Sequence, residues 1–451
     1  MKKWSTITVI GLIALIGLSA TFSYMGRTLT QQAFDRQVAT LLQTAPLYQL
    51  QLVNSNLEHS LFTGTATLEL LVVTGQPEPK QPLTVALNAD LQYGPLLFTP
   101  DGIQLGLAAG QTQLALQGLD EKTKSELQQL LGTGFDLSRL VTINHSLSFD
   151  RQLQLDALIP PIQIQEDNKK LVFEGSQVSS RSDIDSGQTQ GTLTVGSVRL
   201  NNEHGSVSSA TGHGRFDYSD VNDPLATGHF ILNLPSIEVN QPAIKLALQG
   251  LSLEVEQQQS NGKIDVTESI KIANIDGELP VTAASATYQV KQINPAAVEQ
   301  WQQLLAQTNQ QPTATPSEAQ LRELVSAFMQ PGLQFNQSYQ VEALDGQLDA
   351  SLDVEFRGLA NGLHPLDITN PRQLIDGLKA SLFIETDPQI AMALPIAAQL
   401  PQLFEQGIVV EQAIANGAGQ PKLQIKAELN DGQLVVNGQP FPIESMLPTA
   451  Y

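Results

Sequence analysis

Past Pro46 the chain alternates apolar and polar residues with a period of two. Thr65-Ala66-Thr67-Leu68-Glu69-Leu70, Leu83–Leu87 and Gly191–Val195 set the pattern. It recurs at Ile103–Gln117, Val141–Leu155, Pro161–Phe173, Phe230–Val239, Ile244–Val255, Ile264–Ile272, Leu279–Val290, Gln347–Phe356 and Leu423–Val436. Each run predicts a strand with one face toward apolar surroundings and one toward water. Five Asp-Gly and four Asn-Gly pairs punctuate the runs, and such pairs supply the positive φ of tight hairpins. The clearest hairpin joins Leu423–Leu429 to Gln433–Val436 through Asn430-Asp431-Gly432. From about 140 to 292, long strands dotted with Gly and Ser, such as Ser176–Ser186 and Ser206–Gly214, predict a large, open, twisted sheet.

Helical spacing interrupts the strands. Asp120–Leu131 is one such piece, and another starts at Asn294-Pro295 and runs through Trp301, Leu304 and Leu305. Gln307–Pro316 reads as a polar break, and Ser317-Glu318-Ala319-Gln320 as a capping box leading into Leu321, Leu324, Val325 and Phe328. A further helix is expected near Asn370-Pro371. The apolar segment Ile390–Phe404 is broken by Pro395 and Pro401 and is too short to be a membrane span. The fold class expected is mainly β with some α, an α+β arrangement of large twisted antiparallel sheets with a helical hairpin insertion, preceded by one N-terminal transmembrane helix. The expected division is an anchor at 1–27, an amphipathic helix or linker at 28–45, a β-rich region at 46–293, the helical hairpin at 294–330, and a second β-rich region with helices at 331–451.

The anchor rests on the run from Trp4 to Gly26, which carries no charge. As a helix it would reach about 34 Å, enough for a hydrocarbon core of ~30 Å. Lys2 and Lys3 precede it, so the positive-inside rule places the N-terminus in the cytoplasm and the bulk of the chain outside. A cleaved signal peptide competes with this reading. It is disfavoured because no convincing small-residue cleavage pair follows Leu18 and the helical pattern continues through Leu29, Ala33, Phe34, Val38 and Leu41.

Composition narrows the function classes. The chain has net charge −21, and its first 27 residues hold Lys2, Lys3, Arg27 and no acid, so the remainder carries −24. Such a body repels phosphate backbones, and no nucleic acid partner is expected. There is no cysteine, hence no disulfide, thiolate metal site or thiol nucleophile. Charged residues are only 15%, and polarity comes instead from uncharged groups, among them 51 Gln. No G-x-S-x-G, H-E-x-x-H, P-loop or G-x-G-x-x-G motif occurs; Gly132/Gly134, Gly212/Gly214 and Gly417/Gly419 lack the third glycine.

The histidines are His59, His145, His204, His213, His229 and His364. His204, His213 and His229, with Glu203, Asp217 and Asp223, could in principle gather around a metal, but their spacing fits no ligand rule and surface positions are the simpler reading. Asp217–Asp223 lacks the glycine and distal glutamate of a calcium loop. Phe149, Phe173, Phe216 and Phe230 are expected in the core, or lining a groove for an acyl chain if a long apolar sheet face curls. No catalytic, cofactor-binding or metal residues are assigned, and no cofactor.

The order of elements resembles a known family. The anchor is followed by an amphipathic helix, by Leu57-Glu58-His59-Ser60-Leu61-Phe62-Thr63-Gly64, by Tyr93-Gly94-Pro95-Leu96, and finally by Asn430-Asp431-Gly432 and Asn437-Gly438-Gln439-Pro440-Phe441-Pro442-Ile443. This is similar to the YdgA-like family of bacterial inner-membrane and periplasmic envelope proteins of unknown function, in which an aromatic or histidine residue precedes the Gly-Pro. The resemblance implies a single-pass inner-membrane protein with a periplasmic body, and it supplies no catalytic residues. The expected role is non-enzymatic binding or scaffolding, with the bilayer as a partner through the N-terminal helix and an apolar ligand such as lipid, or an envelope protein, as a second partner. A periplasmic hydrolase or metal-dependent enzyme without a local motif, and an assembly factor for a secreted or surface protein, are the alternatives. No oligomeric state is implied.

Overall fold

The structure is a computed structural model. It describes residues 23–36, 50–72, 83–99, 102–118, 139–166, 168–220, 225–277, 280–310, 316–359, 363–368, 371–412 and 421–442, with isolated residues at 38–39, 41–42, 45, 121, 125 and 223. The apolar run up to Phe22 and most of the expected helix Asp120–Leu131 lie outside the described residues. Among the described residues no helix is long and apolar enough to cross a membrane. The described chain is mostly β, with few helices and extensive antiparallel pairing. It divides into two compact units, one holding residues 1–203, 211–224 and 302–315, the other 204–210, 225–301 and 316–451.

The first unit opens with a helix over residues 23–36. Its strands are β1 (Leu50–His59), β2 (Thr63–Val72), β3 (Thr84–Tyr93), β4 (Leu96–Thr99), β5 (Gly102–Leu105), β6 (Ala108–Gln117), β7 (Val141–Leu147), β8 (Gln152–Ile159), β9 (Ile162–Glu166), β10 (Lys169–Phe173), β11 (Ser176–Asp183), β12 (Thr189–Val195) and β13 (Val198–Asn202). β15 (Gly212–Tyr218) also belongs here, whereas β14 (Gly205–Ser209) falls in the second unit. One antiparallel ladder runs β1-β2-β3-β6-β7-β8-β11-β12-β15, and β9-β10-β13 form another. Registered positions share a face. Ala66, Ala89, Thr112, Ile143, Ala157, Val178 and Leu193 form one transverse row, apolar except for Thr112.

Four expected runs are interrupted. Pro161–Phe173 divides into β9 and β10, which pair with each other. Ile103–Gln117 breaks at Gly106-Leu107, because Gly94 (φ 133°) and Pro95 turn the chain out of β3 and residues 96–105 form a separate hairpin before β6. Val141–Leu155 folds back at Phe149-Asp150, with Arg151 at φ 63°, which leaves Phe149 exposed rather than in the core. Ser206–Gly214 splits into β14 and β15, which pair with different strands.

The second unit is a meander. After β14 come β16 (Gly228–Gln241), β17 (Ile244–Ser260), β18 (Lys263–Ile272), β19 (Asn274–Asp276), β20 (Val281–Ile293), β21 (Gln334–Ala343), β22 (Gly346–Phe356), β23 (Leu378–Thr386), β24 (Val410–Gln412), β25 (Lys422–Asn430), β26 (Gln433–Val436) and β27 (Gln439–Phe441). Neighbours in the ladder are neighbours in sequence, save where the short β19 and β24 stand aside. The β25–β26 hairpin turns through Asp431 and Gly432 at φ 48° and 73°, as its Asn-Asp-Gly sequence predicts.

Helices Pro295–Gln310 and Glu318–Phe328 connect β20 to β21, which pair with each other. Ser317 and Gln320 form the reciprocal capping box. The first helix continues to Gln310, into the segment read as a break; no proline lies before 312 to stop it. Ile390–Phe404 resolves into short pieces, Pro388–Ala393, Pro395–Gln399 and Leu400–Glu405, cut by its prolines. They bury Ala391 and Leu400 against Val409 and Leu423.

Candidate apolar binding face

Eight strands of the second unit place an apolar residue at one transverse level. Leu232 is registered with Leu253, Leu253 with Ile270, Ile270 with Ala286, and Ala286 with Tyr339. Tyr339 pairs with Ala350, Ala350 with Ile384, and Ile384 with Ile425. Antiparallel pairs point to the same side of a pleated sheet, so these eight side chains form one stripe. One residue along, on the opposite side, lie Glu254, Ser269, Thr287, Ser338, Ser351 and Lys426, with Ile231 and Phe383 as the apolar exceptions. Alternation in the sequence has therefore produced a two-faced sheet. None of the eight stripe residues is fully buried and none is fully exposed. The short helices that bury Leu423 lie at the β25 end, beside Ile425.

The flanking level contains Phe230, Val255, Leu352, Leu382 and Ala427, with Glu268, Tyr288 and Gln337 between them. The Tyr288 and Tyr339 rings meet edge to face at 5.8 Å. The hydrogen bond shared with Tyr288 raises the Tyr339 hydroxyl above the ordinary phenol range. A small polar island thus sits within an apolar surface. Two clefts open in this unit. One, of 270 Å³, is walled by Gly250, Ala273, Ala283 and Ala284, where Gly250 takes φ 63° and an added Cβ would lie 2.7 Å from the Ala273 methyl. The other, of 660 Å³, lies at the β16–β17 turn, where Val239, Ile244 and Leu246 meet Glu238, Lys245 and Asp276.

In the first unit a polar chain fastens the helix of residues 23–36 to the sheet. Gln31 donates from its amide to Asp35 at 2.8 Å, which turns its carbonyl oxygen to His59 Nε2 at 2.9 Å. That oxygen can only accept, so Nε2 carries the proton and Nδ1 accepts from the Tyr93 hydroxyl at 2.9 Å. Tyr93 is buried, and burial pushes its pKa up to about 12. Its hydroxyl rests against Gly64, where any Cβ would stand 2.7 Å away. Ser23 donates to the Tyr93 carbonyl at 3.3 Å, and Leu29 packs on the core formed by Leu91, Tyr93, Leu107, Ala108 and Leu147.

Burial, and then the Arg27 charge, lower the His59 pKa. A depressed histidine pKa means that the folded state prefers the neutral ring. Its contribution is complete above the unfolded value of ~6.5 and is lost as pH falls from there through the lowered folded value. Arg27 acts on it through its charge, the Tyr93 hydroxyl bonds to its Nδ1, and Asp35 lies one hydrogen bond further on through Gln31. Acidification from about pH 8 to about pH 5 should therefore lower the melting temperature more in the native chain than in His59→Gln. Identical acid sensitivity in the two would refute the relay.

The other histidines do not converge. His145 is half-buried opposite Gly110, and burial depresses its pKa. His204 and His213 are exposed, and His229 contacts Glu254 at 2.8 Å. His364 accepts from the Leu366 amide and donates to the Arg322 carbonyl. Among the described residues no group of three or more His, Asp or Glu side chains could hold a metal. Asp223 bonds back to Asp220, closing a turn. Phe173 and Phe216 are half-buried in the first unit and Phe230 sits on the apolar face of the second. What single-strand reading missed is the alignment of stripes from strand to strand, because register is set by turns and bulges between strands rather than within them.

A two-faced, mostly β protein with a partly open apolar stripe is the class that fold and face define. The chain belongs to the bacterial protein family of unknown function DUF945, which matches residues 1–444. No curated protein and no solved structure matches it.

Proposed function

We propose that this chain is a YdgA-like envelope protein, held in the inner membrane by residues 4–26, whose periplasmic body binds an apolar ligand such as a lipid acyl chain without catalysing a reaction on it. The observation that carries this reading is the eight-strand stripe from Leu232 to Ile425, whose side chains all remain partly open. Apolar surface left in water costs about 25 cal/mol per Å², and a mobile acyl chain laid along the stripe would remove that cost. The flexible backbone of the ligand would match the stripe's mixture of large and small residues. The acidic body disfavours anionic adsorption on the protein's outer surfaces, which leaves the apolar stripe as the attractive region.

The test uses the full chain in native membranes and a photoreactive fatty acid fed to the cells. The native protein should be labelled, with crosslinks on β17 to β23. A Leu253→Glu and Ala350→Glu double variant should lose most of the label while melting within a few degrees of the native chain. Undiminished labelling of a folded double variant, or no labelling of the native chain, would overturn the reading.

A further inference from the structure

The β4–β5 hairpin is built inside out for a structure surrounded by water. Its register pairs Leu96 with Leu105 and Phe98 with Ile103, so all four project from one face. They are 55%, 72%, 65% and 67% exposed, in that order, whereas Leu97 on the other face is 1% exposed. A two-stranded ribbon needs only one face packed to stay in place, and Leu97 does that against Gly106. Among the described residues nothing covers the outer face. Singly exposed apolar residues are ordinary, but two adjacent cross-strand pairs of them mark a contact surface.

The roots of the hairpin lie where the described chain begins. Gly94, which leads into β4, stands beside Ser23 and Phe62, and its amide donates to the Leu107 carbonyl at 3.1 Å. Leu107, just past β5, is the residue on which Gly26 rests. Ser23 and Gly26, in the first turn of the helix, thus touch both ends of the hairpin. Tyr24 and Met25 on that turn, and Leu61 and Phe62 at the β1–β2 turn, are exposed as well. Immediately upstream is the uncharged run from Trp4, long enough to cross a bilayer.

We infer that the outer face of the β4–β5 hairpin lies in the membrane interface beside the anchor, forming with Leu61 and Phe62, next to Tyr24 and Met25 at the end of the anchor, a second, non-spanning contact with lipid. This rests on the anchoring proposed above. An anchor ending at Gly26 brings the bilayer surface within one helical turn of the hairpin roots, and the exposed residues are the apolar and aromatic kinds that partition there. Arg27, stacked 5.5 Å from the Tyr24 ring, stands where a cation meets phosphates. The sequence places Asp101 between the two strands, and a carboxylate there favours a hairpin lying flat over one entering tip first. The contact would fix the orientation of the first unit on the membrane, which a single point of attachment does not.

The absence of cysteine allows a direct test. Single variants Leu12→Cys, Ile103→Cys, Leu105→Cys and Phe149→Cys of the full chain, each carrying an environment-sensitive dye, are reconstituted in vesicles of phosphatidylethanolamine with a minority of phosphatidylglycerol. Dyes at 103 and 105 should lose most of their emission to nitroxide-labelled acyl chains and little to aqueous iodide; the dye at 149 should behave in the opposite way. Iodide quenching at 103 and 105 equal to that at 149 would overturn the proposal. So would shielding from both quenchers, which would mean that protein, such as a second copy, covers the face. Lipid quenching at 12 without any at 103 or 105 would defeat the hairpin contact alone. Its absence at 12 would defeat the anchoring and the hairpin contact with it.

Discussion

Replacing Gly26 by alanine should destabilise the first unit by about 2 kcal/mol, although alanine is the better helix former by about 1 kcal/mol. The two effects oppose each other, and the geometry decides between them. A Cβ at position 26 would overlap the Leu107 carbonyl, whose oxygen is already bonded to the Gly94 amide. A flexible side chain could swing aside, but here the obstacle is backbone tied into the hairpin root. The helix must therefore lift, which loosens Leu29 from the cluster of Leu91, Tyr93, Leu107, Ala108 and Leu147 and stretches the Gln31–His59–Tyr93 chain. Chemical denaturation, together with faster proteolysis between residues 23 and 36, would register the change. A Gly26→Ala chain as stable as the native one would show that the helix does not bear on Leu107.

Leu97→Ala should cost about 3 kcal/mol, whereas Leu96→Ala, one residue away, should stay within about 0.5 kcal/mol in detergent solution. Leu97 is among the most completely buried side chains of the described chain and abuts Gly106 beneath the hairpin. Its truncation leaves a void that the Gly106 backbone, near the Leu147 carbonyl, cannot collapse to fill. Leu96 is more than half exposed. Equal effects of the two substitutions in urea titrations would mean that the hairpin is not seated by Leu97.

The strand content was legible because period-two alternation is a local property. The runs Ile244–Val255 and Leu279–Val290 declare themselves by their own residues, and β17 and β20 continue past both to Ser260 and Ile293. So were the turns at Asp431-Gly432 and Asn437-Gly438, whose backbones need the positive φ that these residues tolerate. The capping box at Ser317 was also readable, since its partners lie three residues apart. The hairpin at 96–105 was not, because Ile103-Gln104-Leu105 continues the alternation of β6 in sequence, and only the turn at Gly94-Pro95 diverts it. Exposure was equally hidden: Leu96 and Leu97 are the same residue type, yet one faces outward and the other inward. The stripe from Leu232 to Ile425 needs the relative register of eight strands, and no single run contains that information.

The sequential order of the second unit bears on how the stripe is assembled. From β16 to β23, apart from the short β19 at the side, each strand lies next to the one made before it, and most joints are only a few residues long. Closing a short loop costs little chain entropy, so each new strand can pair as soon as it leaves a ribosome or a translocation pore, without waiting for a distant partner. The edge that receives the next strand is always the newest one. The stripe would lengthen by one residue with every strand added, gaining apolar width in step with synthesis, and the two helices between β20 and β21 are the largest pause in that sequence.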